Sequence, residues 1–201
     1  MGRTYPEGGV EQGQAILRDL ANRPETARRL SRRLAVHFVA DEPPPSLIDR
    51  LNRAWTGSGG DLAVVARALV QAEESWAPAA GKVKTPYEFM VSTYRALDMT
   101  AERPAPMRQA LIRMGQPPYT PPSPEGWPDT AADWAGPDAL VKRLDWTTET
   151  AEQAGRSEPV ELADAVLGAR LSERTRQFIA RAESRDEALT LLLMSPEFMR
   201  R

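Results

Sequence analysis

Apolar residues recur three and four positions apart through nearly the whole of this 201-residue chain, and no run sustains the every-other-residue alternation that a strand needs. A chain with that single period buries its apolar stripes by packing helix on helix. The expected fold is therefore all-α, a globular domain of about nine helices. The punctuation agrees. Pro24 opens a helix running to about residue 40, with Ala27, Leu30, Leu34, His37 and Phe38 on its apolar side and Arg28, Arg29, Arg32 and Arg33 on the other. Asp41-Glu42-Pro43-Pro44-Pro45 stops it, the glycines of 57–60 end the next helix, and Asp61 is placed to cap a third. Thr85-Pro86-Tyr87-Glu88 spells a capping box with proline at the first helical position, and Ser184 with Glu187 spells a second. After Pro137 a helix carries Leu140, Val141, Leu144, Thr148 and Ala151 as its expected inner stripe. The last helix is apolar almost all round over 188–194, which places it at the centre of the core.

Residues 115–136 break this pattern. Their GQPPYTPPSPEGWPDTAADW stretch is rich in proline, which fixes φ and removes a backbone donor, so the segment runs as extended pieces and turns over the surface. Two readings fit its aromatics. In one, Tyr119 and Trp127 anchor the loop, with Trp127 lying on the helix that carries Met107 and Met114. In the other, Tyr119, Trp127 and Trp134 line a groove that accepts a partner segment or small ligand. A loop of this length without secondary structure needs anchors before it needs ligands, which favours the first.

Length favours one compact domain over residues 1–201. The net charge of −2 argues against bulk attraction to nucleic acid, no apolar run is long enough for membrane insertion, and the absence of cysteine excludes thiolate chemistry and cysteine-ligated metals. MGRTYPEGGV lacks the apolar core of a signal peptide, so the chain as it stands reads as cytoplasmic. His37, the only histidine, sits among apolar helix positions and is expected to be a buried, hydrogen-bonded core residue rather than a catalytic or metal-binding one. The stripe of Arg28, Arg29, Arg32 and Arg33 is a candidate anion contact. Without interleaved aromatics or glycines it reads better as a solvated face. Glu125, Asp129 and Asp133 lack the spacing of a calcium loop, and no glycine-rich motif holds a phosphate, so neither metal nor cofactor is expected.

Phe38-Val39 ahead of Pro43-Pro44-Pro45, then Thr85-Pro86-Tyr87-Glu88-Phe89, Gly126-Trp127-Pro128 and Ser195-Pro196-Glu197-Phe198, in that order, resemble the C-terminal portion of the bacterial "domain of unknown function 1800" family. The resemblance runs over nearly the whole chain. It implies no assigned activity, catalytic residue or cofactor. Members of that family are usually longer, with a helical N-terminal part and often an export signal. The resemblance therefore implies completion by a missing N-terminal part or by a protein partner, and it keeps periplasmic export open. Together these readings point to a non-catalytic interaction or scaffold module. The alternative is a hydrolase-like enzyme using carboxylates and arginines around the 115–136 loop.

Overall fold

The computed structural model describes residues 2–76, 81–100, 104–155 and 158–201. The described residues are all-α: twelve helices, ten of them seven residues or longer, cover 67% of the chain, and there is no strand. Two one-turn helices, Ala131–Trp134 and Pro196–Met199, account for most of the excess over about nine. The chain divides into two compact units, Met1–Gly81 and Lys82–Arg201.

The first unit holds α1 (Val10–Ala21), α2 (Pro24–Phe38), α3 (Pro45–Ser58), α4 (Leu62–Val70) and a 3₁₀ turn, Glu73–Trp76. Prolines open α2 and α3, Gly59 ends α3 in the left-handed conformation at φ 66°, and the Asp61 carboxylate accepts from the Ala63 and Val64 amides at 2.8 and 3.2 Å. Its core joins Leu47, Leu51 and Trp55 of α3 to Val65 and Leu69 of α4. The inner face of α2 matches expectation at Ala27 and differs beyond it: Ser31 and Ala35 are buried too, while His37 is exposed and Phe38 is 57% exposed. The distance between packed helix axes depends on the side chains at the contact, so a row of small residues lets α2 lie close to its neighbours and turns its bulky residues outward. His37 meets the edge of the Phe38 ring at 4.6 Å instead of entering the core.

The second unit contains α5 (Pro86–Ala96), α6 (Pro104–Arg113), α7 (Ala131–Trp134), α8 (Pro137–Gln153), α9 (Pro159–Leu167), α10 (Glu173–Ala180), α11 (Arg185–Leu193) and α12 (Pro196–Met199). The Thr85 capping box is complete. At Ser184 only half of one forms, because the Glu187 carboxylate accepts from the Glu183 amide at 2.7 Å, one residue before the cap. The core gathers Phe89, Trp146 and Phe198 edge-to-face at 5.7 and 6.0 Å, with Leu189, Leu192 and Leu193 of α11 fully buried as expected. On α8 the buried face is Arg143, Trp146, Thr147, Thr150 and Ala151, so Val141 and Leu144 point to solvent. Trp146 carries more apolar surface than any residue of the expected stripe, and it turns the helix. An antiparallel bridge between Val83 and Arg200 ties the segment before α5 to the chain's end. Lys84 N–H donates to the Met199 carbonyl, and Arg201 N–H to that of Lys82, both at 2.9 Å.

Candidate anion-binding cleft

The proline-rich loop is pinned by residues other than those expected. Gln116 accepts from the Tyr87 amide at 2.8 Å, the Trp134 indole donates to the Pro128 carbonyl at 2.9 Å, and the buried Lys82 ammonium donates to the Asp129 carbonyl and pairs with its carboxylate at 3.3 Å. Trp134 is buried and Trp127 half-buried against it, ring centres 6.3 Å apart. Tyr119 is wholly exposed at φ 62° and anchors nothing. That left-handed backbone places a turn at the one aromatic between the paired prolines. Among the candidate surface residues, the structure thus brings Trp127 and Trp134 together and leaves Tyr119 out in solvent. Arg28, Arg29, Arg32 and Arg33 are all exposed along α2. Asp129 is engaged by Lys82, and Asp133 accepts from the Thr130 hydroxyl at 2.5 Å.

A cleft lined by charged side chains lies elsewhere. Its volume is about 350 Å³, and it opens in the second unit between the start and outer face of α5, the end of α9 and α12. Three cations line it: Lys84, just before α5, Arg95 in the last turn of α5, and Arg170 in the turn after α9. Ser92, Glu197 and Phe198 complete its polar and aromatic lining, and Val166 and Leu167 its aliphatic side. Each cation arrives by a local device. The bridge to the C-terminus and the Thr85 cap fix Lys84, the helix carries Arg95, and Arg170 donates to the carbonyls of Glu197 and Arg200 at 2.5 and 2.9 Å.

The neighbouring carboxylates are already committed. Glu88 accepts from the Thr85 amide at 2.9 Å and pairs with Arg201 at 3.1 Å. Glu197 accepts from the Ser172 hydroxyl at 2.6 Å and the Thr175 hydroxyl at 2.9 Å. Burial pushes the Glu197 carboxyl up, but bonds from Ser172, its own backbone and Thr175 outweigh it and hold the group below its ordinary range. Behind the cleft, Arg143 is 1% exposed, donates to the Lys84 carbonyl at 2.7 Å and lies over the Phe89 ring at 5.1 Å, with no carboxylate partner among the described residues. Burial lowers its pKa to about 10, so it remains a cation at neutral pH. The Lys84 ammonium lies 4.0 Å from the centre of the Phe198 ring. Burial first, then Arg170, then Arg143 push its pKa down to about 8 against the upward pull of Glu88.

Such a site has an excess of positive potential that its own carboxylates do not neutralise, the condition for holding an anion. Sequence reasoning missed Lys84, Arg95, Arg170 and Arg143. One signal was available: two of only three lysines, in a chain otherwise served by arginine, flank Val83 immediately before the strongest helix cap.

The sequence matches the model of the family described as "Protein of unknown function (DUF1800)" over residues 1–200. No curated protein and no solved structure matches it.

Proposed function

This chain belongs to the DUF1800 family, whose description assigns no activity, and we propose from its own residues that it is an interaction module recognising an anionic group in the cleft of Lys84, Arg95 and Arg170. The observation that carries this reading is the imbalance of charge. Three cations face one cleft against the single carboxylate of Glu197, a fourth is buried behind it, and Glu88 is paired with Arg201. Burying Arg143 without a carboxylate costs stability that an apolar side chain would not, and the field it adds at the cleft gives that cost a use. The loop-centred hydrolase reading has less support, since no residue of 115–136 lines this cleft and Asp129 and Asp133 are engaged locally. Calorimetric titration with inorganic phosphate and with citrate tests the proposal. Lys84→Met, which keeps contact with Phe198, and Arg95→Gln each remove a charge-assisted contact and should weaken binding about 10-fold or more. Absence of binding, or affinities unchanged in both variants, would overturn it.

A second, protein-binding reading draws on the first unit. Helix α1 contributes no buried residue and exposes Val10, Leu17 and Leu20, while Leu30, Phe38, Leu62 and Val70 are exposed on α2 and α4. Tyr119, wholly exposed, with the half-buried Trp127 offers a further surface on the proline-rich loop. Cross-linking in a lysate with wild type and with a Leu17→Glu, Leu20→Glu variant separates this reading from the first, because only the protein-binding reading requires the variant to lose adducts.

A further inference from the structure

The three lysines of this chain are not equivalent. The Lys82 ammonium is buried and held by the carbonyl and carboxylate of Asp129, and Lys142 pairs with Asp138 at 2.6 Å. Lys84 lines the cleft, yet its amine has neither a carboxylate partner nor a hydrogen-bond acceptor among the described residues; its contact is the face of Phe198. We propose that Lys84 is a nucleophile that captures a small acidic carbonyl compound, of the 2-oxo acid class, as an imine, with Arg95 and Arg170 holding the acid group. The proposal rests on the anionic-ligand reading of the same cleft.

Imine formation needs an amine that is unprotonated part of the time and a carbonyl carbon held beside it. The Lys84 nitrogen attacks that carbon with its lone pair, and the carbonyl oxygen takes up a proton, giving a carbinolamine. The hydroxyl then leaves as water while the nitrogen loses its remaining proton, so that amine plus carbonyl yields imine plus water with no external oxidant or reductant. The surroundings favour the first condition. Arg170 and Arg143 bear on the amine with positive charge, Arg95 and Glu197 share its cleft, and Glu88, the carboxylate that draws it toward protonation, is committed to Thr85 and Arg201. With its pKa near 8, on the order of a tenth of Lys84 is neutral at pH 7, against less than ~0.1% for an ordinary lysine. A cleft of about 350 Å³ lies at the small end of ligand sites, so the compound carries few atoms beyond its acid and carbonyl groups.

Incubating the folded protein with glyoxylate and cyanoborohydride, then mapping modified peptides by mass spectrometry, tests the step. Lys84 should be alkylated at least about 10-fold faster than Lys142, excess phosphate should suppress it, and propionaldehyde, which lacks an acid group, should show a smaller preference. Lys84 modified no faster than Lys142, while calorimetry still detects phosphate binding, would overturn the imine step alone. Loss of both would overturn the anionic reading with it. A preference equally strong for propionaldehyde and indifferent to phosphate would overturn the proposed ligand class. Lys84→Arg keeps the charge but forms no imine, so it should bind phosphate and leave the cleft unmodified; loss of phosphate binding in this variant would count against the anionic reading on which the imine step rests.

Discussion

In the unit Met1–Gly81 the residues packed deepest on α2 are Ala27, Ser31 and Ala35; in the unit Lys82–Arg201 the equivalent places on α8 belong to Arg143, Trp146 and Thr147. Small side chains inside the first unit push Leu30 and Phe38 out into solvent. The second unit buries large aromatics and puts a guanidinium among them. Each choice leaves a mark on the surface. One unit shows apolar edges, with a helix, α1, that buries nothing; the other shows a cleft with uncompensated positive charge. The charge imbalance of the second unit therefore lies where a polar group was taken inside, and a desolvated charge acts on its neighbours far more strongly than an exposed one.

The largest effects should come from the cores. Trp134→Ala removes a buried indole and its bond to Pro128 and should destabilise the second unit by about 3–5 kcal/mol. Leu192→Ala there and Leu51→Ala in the first unit, both fully buried, should each cost about 2–5 kcal/mol. Hydrogen exchange sharpens the comparison. Leu51→Ala should loosen amides of Met1–Gly81 selectively, and Leu192→Ala those of Lys82–Arg201. A uniform rise in exchange across the whole chain for either variant would instead mean that residues 1–201 fold as one cooperative domain, as the length alone suggested.

Stability against pH probes the second unit next. The folded-state pKa of Lys84, about 8, lies below that of an unfolded lysine, so the unfolded chain binds more protons between about pH 8 and 10.5. The charged amine is a burden fully present below pH 8 and relieved as pH rises through that window. Wild type should therefore gain stability relative to Lys84→Met between pH 7.5 and 9.5, and a parallel pair of melting curves would refute the burial of charge at this site. Arg143→Met carries the same argument inward. Losing the buried cation favours the fold, the Lys84 carbonyl loses its donor at a cost of about 1–3 kcal/mol, and the Lys84 titration should move up toward the ordinary lysine range.

The parts of this fold legible in the sequence are those decided within four residues. The Thr85 box, the Asp61 cap and the Gly59 stop follow from local backbone chemistry, and α11 is buried because any orientation of so apolar a helix would bury it. The inner faces of α2 and α8 were misjudged for one reason: bulk was read as burial. Ser31 and Ala35 join the expected Ala27 inside because close packing rewards small residues, and Arg143 is inside because the Lys84 carbonyl and the Phe89 face receive it. The cleft itself was beyond reach. Residues 84, 95, 170 and 197 meet only through the packing of α5, α9 and α12, and no periodicity encodes that meeting. Likewise nothing in PPYTPP announces the positive φ that turns Tyr119 away from the body.

The smallest effects belong to α1, where the contrast between the units can be tested without touching either core. Asp19 accepts from the Tyr5 hydroxyl at 2.5 Å and pairs with Arg23 at 2.9 Å and with Arg3, an arrangement that ties residues 3–5 to the helix. The Tyr5 hydrogen bond, followed by that of Arg23, lowers the Asp19 carboxyl to about 2, so the attachment is in full force above the ordinary aspartate value near 3.8 and fades as pH falls through 2. All of this lies at the surface, where screening keeps ion pairs weak. Leu17→Glu should then change global stability by less than about 0.5 kcal/mol, because Leu17 is 68% exposed and α1 adds nothing to the core. Acid titration followed by NMR should show the residues around Tyr5 and Asp19 responding between pH 4 and 2 while the amides of α11 stay protected. A Leu17→Glu variant that unfolds the first unit would break the comparison, since it would make α1 part of that unit's support rather than an unburied apolar edge.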